Sequence, residues 1–157
     1  MKLLMASDHG GYRLKEHVRK YLEDLGIEVD DLGPFSEESV DYPDFAVPVA
    51  SRICSGEVER AILICGTGIG MSITANRFPG VRATQVTDEF TAEMSRRHND
   101  SNVLVLGGRV TDEDMAERIV KIWLGTPFDG GRHTRRLEKI SELEKRLGGG
   151  DVKGEGS

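Results

Sequence analysis

Apolar residues come along the chain in two alternating signatures. Short uninterrupted runs, Leu3 to Ala6, Ala61 to Cys65 and Val103 to Leu106, have the composition of strands covered on both faces. Ile27 to Val29 and Arg82 to Val86 read as two further strands. Between these runs the apolar positions recur at helical spacing. Leu14, Val18, Tyr21, Leu22 and Leu25 form one stripe, and Gly26 stops it. A second helix is predicted from about residue 44 to 55, with Pro48 kinking it or delaying its start. Residues 71–77 and 88–97 supply two more. Thr111 and Asp114 are spaced as a capping box for a helix carrying Met115, Ile119 and Trp123, which Gly125 and Pro127 end. A last helix carries Leu137, Ile140, Leu143 and Leu147.

Strands alternating with helices over residues 1–147 predict one α/β domain. Its architecture is a three-layer α/β/α sandwich around a five-stranded parallel, Rossmann-like sheet. The glycine-rich 148–157 reads as a flexible, solvated tail. In such sheets ligands sit beyond the carboxyl ends of the strands, so the residues that follow each strand are the first place to look for chemistry.

Ser7, Asp8 and His9 follow the first strand, and Gly107, Gly108 and Arg109 follow the fifth. Cys65-Gly66-Thr67-Gly68-Ile69-Gly70 follows the third and leads into a helix. A glycine-rich turn there directs amide hydrogens at an oxyanion or phosphate, aided by the helix dipole. The spacing is GxGxG. A dinucleotide fingerprint wants GxGxxG, and only Asp88 about 20 residues on keeps that alternative open. A P-loop lacks its Gly-Lys-Ser/Thr here, and a Cys-x5-Arg phosphatase loop fails because Met71 stands six residues after Cys65. A cysteine at that strand end, facing amide donors, is a candidate thiolate base. Cys54, beside Ser55-Gly56, reads as structural.

Of the histidines, His17 reads as a surface residue of the first helix, and His9 and His98 occupy polar turns. His98 lies at a predicted helix C-terminus, where the dipole favours the protonated ring of a general acid. His98 and Asn99 precede the fifth strand rather than follow it, so the strand-end rule does not place them. His133 sits in a basic cluster with Arg132 and Arg136, which share one helix face at i and i+4. Arg135 and Arg146 read as solvated. No HxxxH or HxH pair occurs, so no metal site is expected.

Composition narrows the partners. The 157 residues carry 21 basic and 27 acidic side chains, a net charge of −6, which excludes a general nucleic-acid binder. No run approaches the ~18 apolar residues of a membrane span. Cys54 and Cys65 form no CxxC pair, so zinc-ribbon and thioredoxin-type chemistry drop out. The N-terminal KLLMA is strand-like and lacks a cleavable signal pattern, so a cytoplasmic location is expected. A focused positive spot on an acidic chain suits a small phosphorylated molecule, because guanidinium forks match phosphate oxygens.

Five segments together carry a resemblance: SDHGG, VDYPDFA near 40–46, ICGTGIGMSITANR at 64–77, RRHNDSNVLVLGGR at 96–109 and PFDGGRHTRR at 127–136. Over about residues 2–146 the chain resembles the ribose-5-phosphate isomerase B family, which includes allose- and galactose-6-phosphate isomerases. The resemblance implies an aldose–ketose isomerase of the pentose phosphate pathway, working on a sugar phosphate without metal or other cofactor. It implies Cys65 as the base that moves a proton between C2 and C1 through an enediolate. It implies His98 as the acid/base that opens the furanose ring, with Asp8 nearby. Thr67 and the amides of Gly66, Gly68, Ile69 and Gly70 would hold the enediolate oxygens. Asn99 would bind sugar hydroxyls, and His9, Arg109, Arg132 and Arg136 the phosphate. A second branch of the family has a glutamate base at the position of Met71, so this chain resembles the cysteine branch. Members are homodimers or dimers of dimers with sites across the interface, which implies that a partner chain supplies some of these residues. Pro48 and the tail depart from the pattern and touch none of the motif residues. Two alternatives stand beside ribose 5-phosphate: a six-carbon phosphate such as allose or galactose 6-phosphate, and a non-catalytic nucleotide-binding module.

Overall fold

The computed structural model describes residues 1–148. Its first half runs β1 (Lys2–Ser7), a 3-10 turn (His9–Gly11), α1 (Tyr12–Asp24), β2 (Glu28–Asp31), α2 (Tyr42–Cys54) and β3 (Arg60–Cys65). The second half runs α3 (Ile69–Ala75), β4 (Ala83–Gln85), α4 (Glu89–Arg97), β5 (Val103–Gly107), α5 (Glu113–Gly125) and α6 (Arg132–Gly148). All strand pairings are parallel, in the order β2-β1-β3-β5-β4. The three-layer α/β fold expected from the alternation is the one observed.

Strand residues alternate between two cores because both sheet faces are covered. Leu4, Ala6, Leu63 and Val105 pack beneath α2 and α3 with Val49, Ala50, Met71 and Ala75. Leu3, Met5, Ile62, Ile64 and Leu106 pack beneath α1, α4 and α5 with Val18, Leu22, Ala92, Ile119 and Trp123. The helices after β1 and β3 therefore lie on opposite faces. The gap between those two strand ends is the switch point at which such sheets open a crevice. Asp8 and Cys65 stand at its two sides.

Several local expectations are corrected. Helix α2 begins at Tyr42, with Pro43 in its first turn, and runs on through Pro48. Pro48 and Asp44, whose carbonyl it leaves without an amide, are both exposed, so the helix is not ended. Thr111 does not cap α5; the Asp112 carboxylate does, accepting the Met115 amide at 2.8 Å. The Thr111 hydroxyl is buried without a hydrogen-bond partner. Cys54, read as structural, is exposed at the end of α2. His17 is no bare surface residue, since it pairs with Glu113 and Glu117 and ties α1 to α5.

Lys15 on α1 is fully buried, its ammonium 2.6 Å from Asp31 and 5.4 Å from the centres of the Tyr12 and Phe35 rings. Helix α6 forms as predicted, yet Ile140, Leu143 and Leu147 on its apolar stripe are about half exposed in the single chain. From residue 149 on, the tail expected at 148–157 lies outside the described residues, and Gly148 closes α6. Among the described residues no helix is long and apolar enough to cross a membrane.

Candidate active site

The carboxyl edge of the sheet is assembled by backbone contact between three segments. The Asp8 amide donates to Ile64 O at 3.1 Å, Gly108 to Cys65 O at 2.7 Å and Arg109 to Gly66 O at 2.9 Å. These approaches leave no room for side chains. A Cβ at Gly108 would lie 2.5 Å from Gly10 O, and one at Gly107 would lie 2.7 Å from Thr67 O. That crowding accounts for the paired glycines after β1 and β5.

Cys65 is buried, and its Sγ accepts the Gly68 amide at 3.1 Å. The turn closes on Cys65 because Gly68 adopts φ +86°, a left-handed conformation that other residues rarely take. Thr67 is exposed; its hydroxyl accepts the Ile69 amide at 3.2 Å, and Gln85 donates to its carbonyl at 2.7 Å. Asp8 is buried and accepts the Gly11 amide at 3.1 Å. His9 Nδ1 faces the Val40 amide at 3.2 Å; taken as the acceptor, it leaves the ring proton on Nε2. The Arg109 side chain lies across Gly66, where a Cβ would come within 3.3 Å of Nη1. Among the described residues no carboxylate pairs with Arg109. Tyr42, not singled out by sequence, lays its ring on Gly70, where a Cβ would meet it at 2.6 Å. The signals that point to it are the third glycine of the turn and its place in the VDYPDFA segment.

The remaining candidates gather at the opposite edge. His98 caps the C-terminus of α4 and donates its amide to Met94 O at 2.9 Å. Asn99 follows it in the exposed turn before β5. The His98 ring stacks on His133, centroids 4.2 Å apart and 12° from parallel. Arg132 and Arg136 are exposed in the first turns of α6 beside this pair. Cys65 is level with Gly107 in the sheet, whereas His98 lies before Val103, at the far end of the same strand. At ~3.3 Å per residue, β5 separates these levels by about 13 Å. One chain therefore brings Asp8, His9, Cys65 to Gly70 and Arg109 to one edge, and leaves His98, Asn99, Arg132 and Arg136 at the other.

Burial holds the His133 ring below the usual histidine value of 6.5, and His98, Arg132 and Arg136 push the same way against Asp129. Asp129 and Glu93 raise the Arg97 guanidinium, whose Nε is 3.2 Å from Asp129. Candidate ligand atoms of His98, Asp129 and His133 lie within 4.8 Å of one another, a constellation that local spacing did not reveal. Stacked imidazoles direct their in-plane lone pairs along nearly parallel lines, so in this arrangement the two rings do not converge on one ion.

The sequence model of the Ribose/Galactose Isomerase family matches residues 3–140. The chain belongs to that family. Ribose-5-phosphate isomerase B of Escherichia coli is 46% identical to this family member over 145 residues, covering 92% of this chain and 97% of that one. The solved ribose-5-phosphate isomerase B of Clostridium thermocellum superposes with a TM-score of 0.91 at 52% identity, covering 94% and 99% of the two chains. The Mycoplasma genitalium enzyme, solved with bound ribulose 5-phosphate, gives a TM-score of 0.88 at 40% identity, covering 92% and 96%. In this Ribose/Galactose Isomerase family member, Tyr42 and Asp129 join the residues that the sequence singled out, and His133 gains a place against His98. All three lie in the motif segments, but their contacts are tertiary.

Proposed function

We propose that this isomerase interconverts ribose 5-phosphate and ribulose 5-phosphate, with residues 1–147 as its catalytic domain and the cytoplasm as its location. The observation that carries the reading is the turn at the end of β3, where the Gly68 amide donates to Cys65 Sγ beside Asp8 in a member of this family. The reaction needs ring opening and then proton transfer. His98 gives a proton to the ring oxygen as the C1–O4 bond breaks, and the C1 hydroxyl proton passes to a base, for which Asp8 is the candidate. C1 becomes an aldehyde and C4 a hydroxyl. The Cys65 thiolate then takes the C2 proton, and the electron pair moves onto O1. Thr67 and the amides of residues 66–70 stabilise that enediolate, since preorganised donors act where charge develops. The Cys65 thiol returns the proton to C1, the O2 proton passes to O1, and the ketone is left at C2. Asn99 holds sugar hydroxyls, and His9, Arg109, Arg132 and Arg136 take the phosphate.

These roles cannot all be played within one chain, because the two groups of residues sit at opposite ends of β5. The reading therefore includes a homodimer, or a dimer of dimers, in which one copy supplies the Cys65 edge and the other the His98 edge. Ile69 and Ile73 beside the glycine turn and Ile140 and Leu143 on α6 are exposed apolar residues suited to that pairing.

The test is incubation with ribose 5-phosphate in D2O containing EDTA, followed by NMR. Ribulose 5-phosphate is the expected product, with deuterium at C1 where exchange of the Cys65 thiol with solvent competes with proton return. Absence of turnover, with conversion of allose or galactose 6-phosphate in its place, replaces the proposed substrate by a six-carbon one.

A further inference from the structure

Arg96 sits in the last turn of α4 with its side chain buried. Its Nη1 donates to Asp100 Oδ1 at 2.9 Å and to Ser101 O at 2.6 Å, and its Nε donates to Thr126 O at 3.1 Å. These acceptors belong to two separate stretches of chain. Asp100 and Ser101 close the turn that carries His98 and Asn99. Thr126 opens the connection between α5 and α6, which carries Asp129 and leads to His133. The same two stretches meet again where the Asp129 amide donates to Arg97 O at 3.0 Å and where the His98 and His133 rings stack.

The turn itself is held in a costly shape. Asp100 has φ 46°, a left-handed conformation uncommon outside glycine. Its carboxylate is fixed from both sides, by Arg96 and by Arg82 at 3.5 Å. Ser101 is anchored in turn by Trp123 Nε1 at 3.1 Å and Thr84 Oγ1 at 2.6 Å. A planar guanidinium supplies donors in fixed, divergent directions, and an ammonium does not reproduce them.

We propose that Arg96 is a positioning residue for the ring-opening half of the reaction: it locks the His98 turn to the α5–α6 connection and so sets the place and plane of the His98 ring. The inference rests on the reading of His98 as the ring-opening acid. It predicts a split that a purely structural role does not. Ribulose 5-phosphate carries its phosphate on O5 and has no furanose ring to open, so exchange of its C1 hydrogen with solvent, measured at saturating substrate, needs the Cys65 base and the substrate-binding groups but not the His98 acid. Conversion of cyclic ribose 5-phosphate needs the His98 acid as well.

The experiment measures the two rates in D2O by NMR for the full-length wild type and for Arg96→Lys, Asp100→Asn and His98→Asn. Displacing an acid by a fraction of an ångström to an ångström lowers its step roughly ten- to hundredfold. Arg96→Lys is expected to lose that much in ribose 5-phosphate turnover while its C1 exchange stays within about twofold. His98→Asn is expected to show the same split more strongly. Asp100→Asn, whose side chain tolerates the left-handed turn, is expected to show it more weakly; if Arg96→Lys does not fold, this variant decides. Parallel loss of both rates, or no change in either, overturns the positioning role. A wild type that neither exchanges the C1 hydrogen nor converts ribose 5-phosphate overturns the isomerase reading and the role of Arg96 with it. A wild type and His98→Asn that behave as expected beside an Arg96→Lys without the split overturn the positioning role alone.

Discussion

The imidazole of His98 lies against that of His133, 4.2 Å between centroids and 12° from parallel. His133 is buried and sits beside His98, Arg132 and Arg136, so its folded ring resists the proton that an unfolded histidine accepts. As pH falls below about 6.5 the unfolded chain binds that proton first, and the folded state loses stability until the folded ring also titrates. Thermal unfolding at pH 7.5 and 5.5 is therefore expected to show a smaller fall in Tm for His133→Asn than for the wild type. Equal falls in both proteins remove His133 from the acid sensitivity.

Cys65→Ala is expected to abolish hydrogen exchange at C1 and C2 of the sugar, with substrate still bound. A methyl group fits the site and cannot accept a proton. Residual exchange with substrate bound, above the background of a sample without protein, assigns the base to another group.

Replacing Arg132 and Arg136 together by alanine is expected to raise KM for ribose 5-phosphate at least tenfold. Each charge-assisted hydrogen bond contributes about 1.5–3 kcal/mol, and a phosphate dianion has few other partners here. Steady-state kinetics at fixed ionic strength reads this directly, and an unchanged KM places the phosphate elsewhere.

Lys15 gives a stability test remote from the chemistry. Its buried ammonium is held by Asp31 at 2.6 Å and by Glu16 at 3.2 Å. Asp31→Ala leaves the charge with the half-solvated Glu16 alone and is expected to cost about 3 kcal/mol in urea unfolding. Lys15→Met, which removes the charge and keeps the length, is expected to cost under about 1.5 kcal/mol. A reversed order of the two variants contradicts a charge-compensated burial.

The parts of the site that are legible in the sequence are those made by consecutive residues. The apolar run into Cys65, the alternating glycines and the following helix specify a strand, turn and helix without outside help. Asp8, His9 and Arg109 follow from the strand-end rule. His98 is legible as a helix terminus, but its distance from Cys65 is a matter of register, set where Ala61 pairs with Val103 and Cys65 with Gly107. The stack of His98 on His133 and the pairing of Arg97 with Asp129 join residues more than thirty positions apart, and helical periodicity is silent about them. Lys15 is hidden for a similar reason, since its partner Asp31 reaches it from the next strand. The cap of α5 is ambiguous in sequence because Thr111 and Asp112 are both capping residues, and the acid three positions after Thr111 favours a box one residue before the Asp112 cap observed.

In the proposed enzyme, groups from the two ends of the sheet meet through a second copy of the chain. Mixing Cys65→Ala with His98→Asn, each inactive alone on ribose 5-phosphate, tests this after unfolding and refolding the two together. Random pairing in a dimer yields half mixed dimers, each with one site built from an intact Cys65 edge and an intact His98 edge, so about a quarter of wild-type activity is expected to return. No recovery from a mixture that refolds into mixed dimers contradicts the shared site and places both residues within one chain's own active centre.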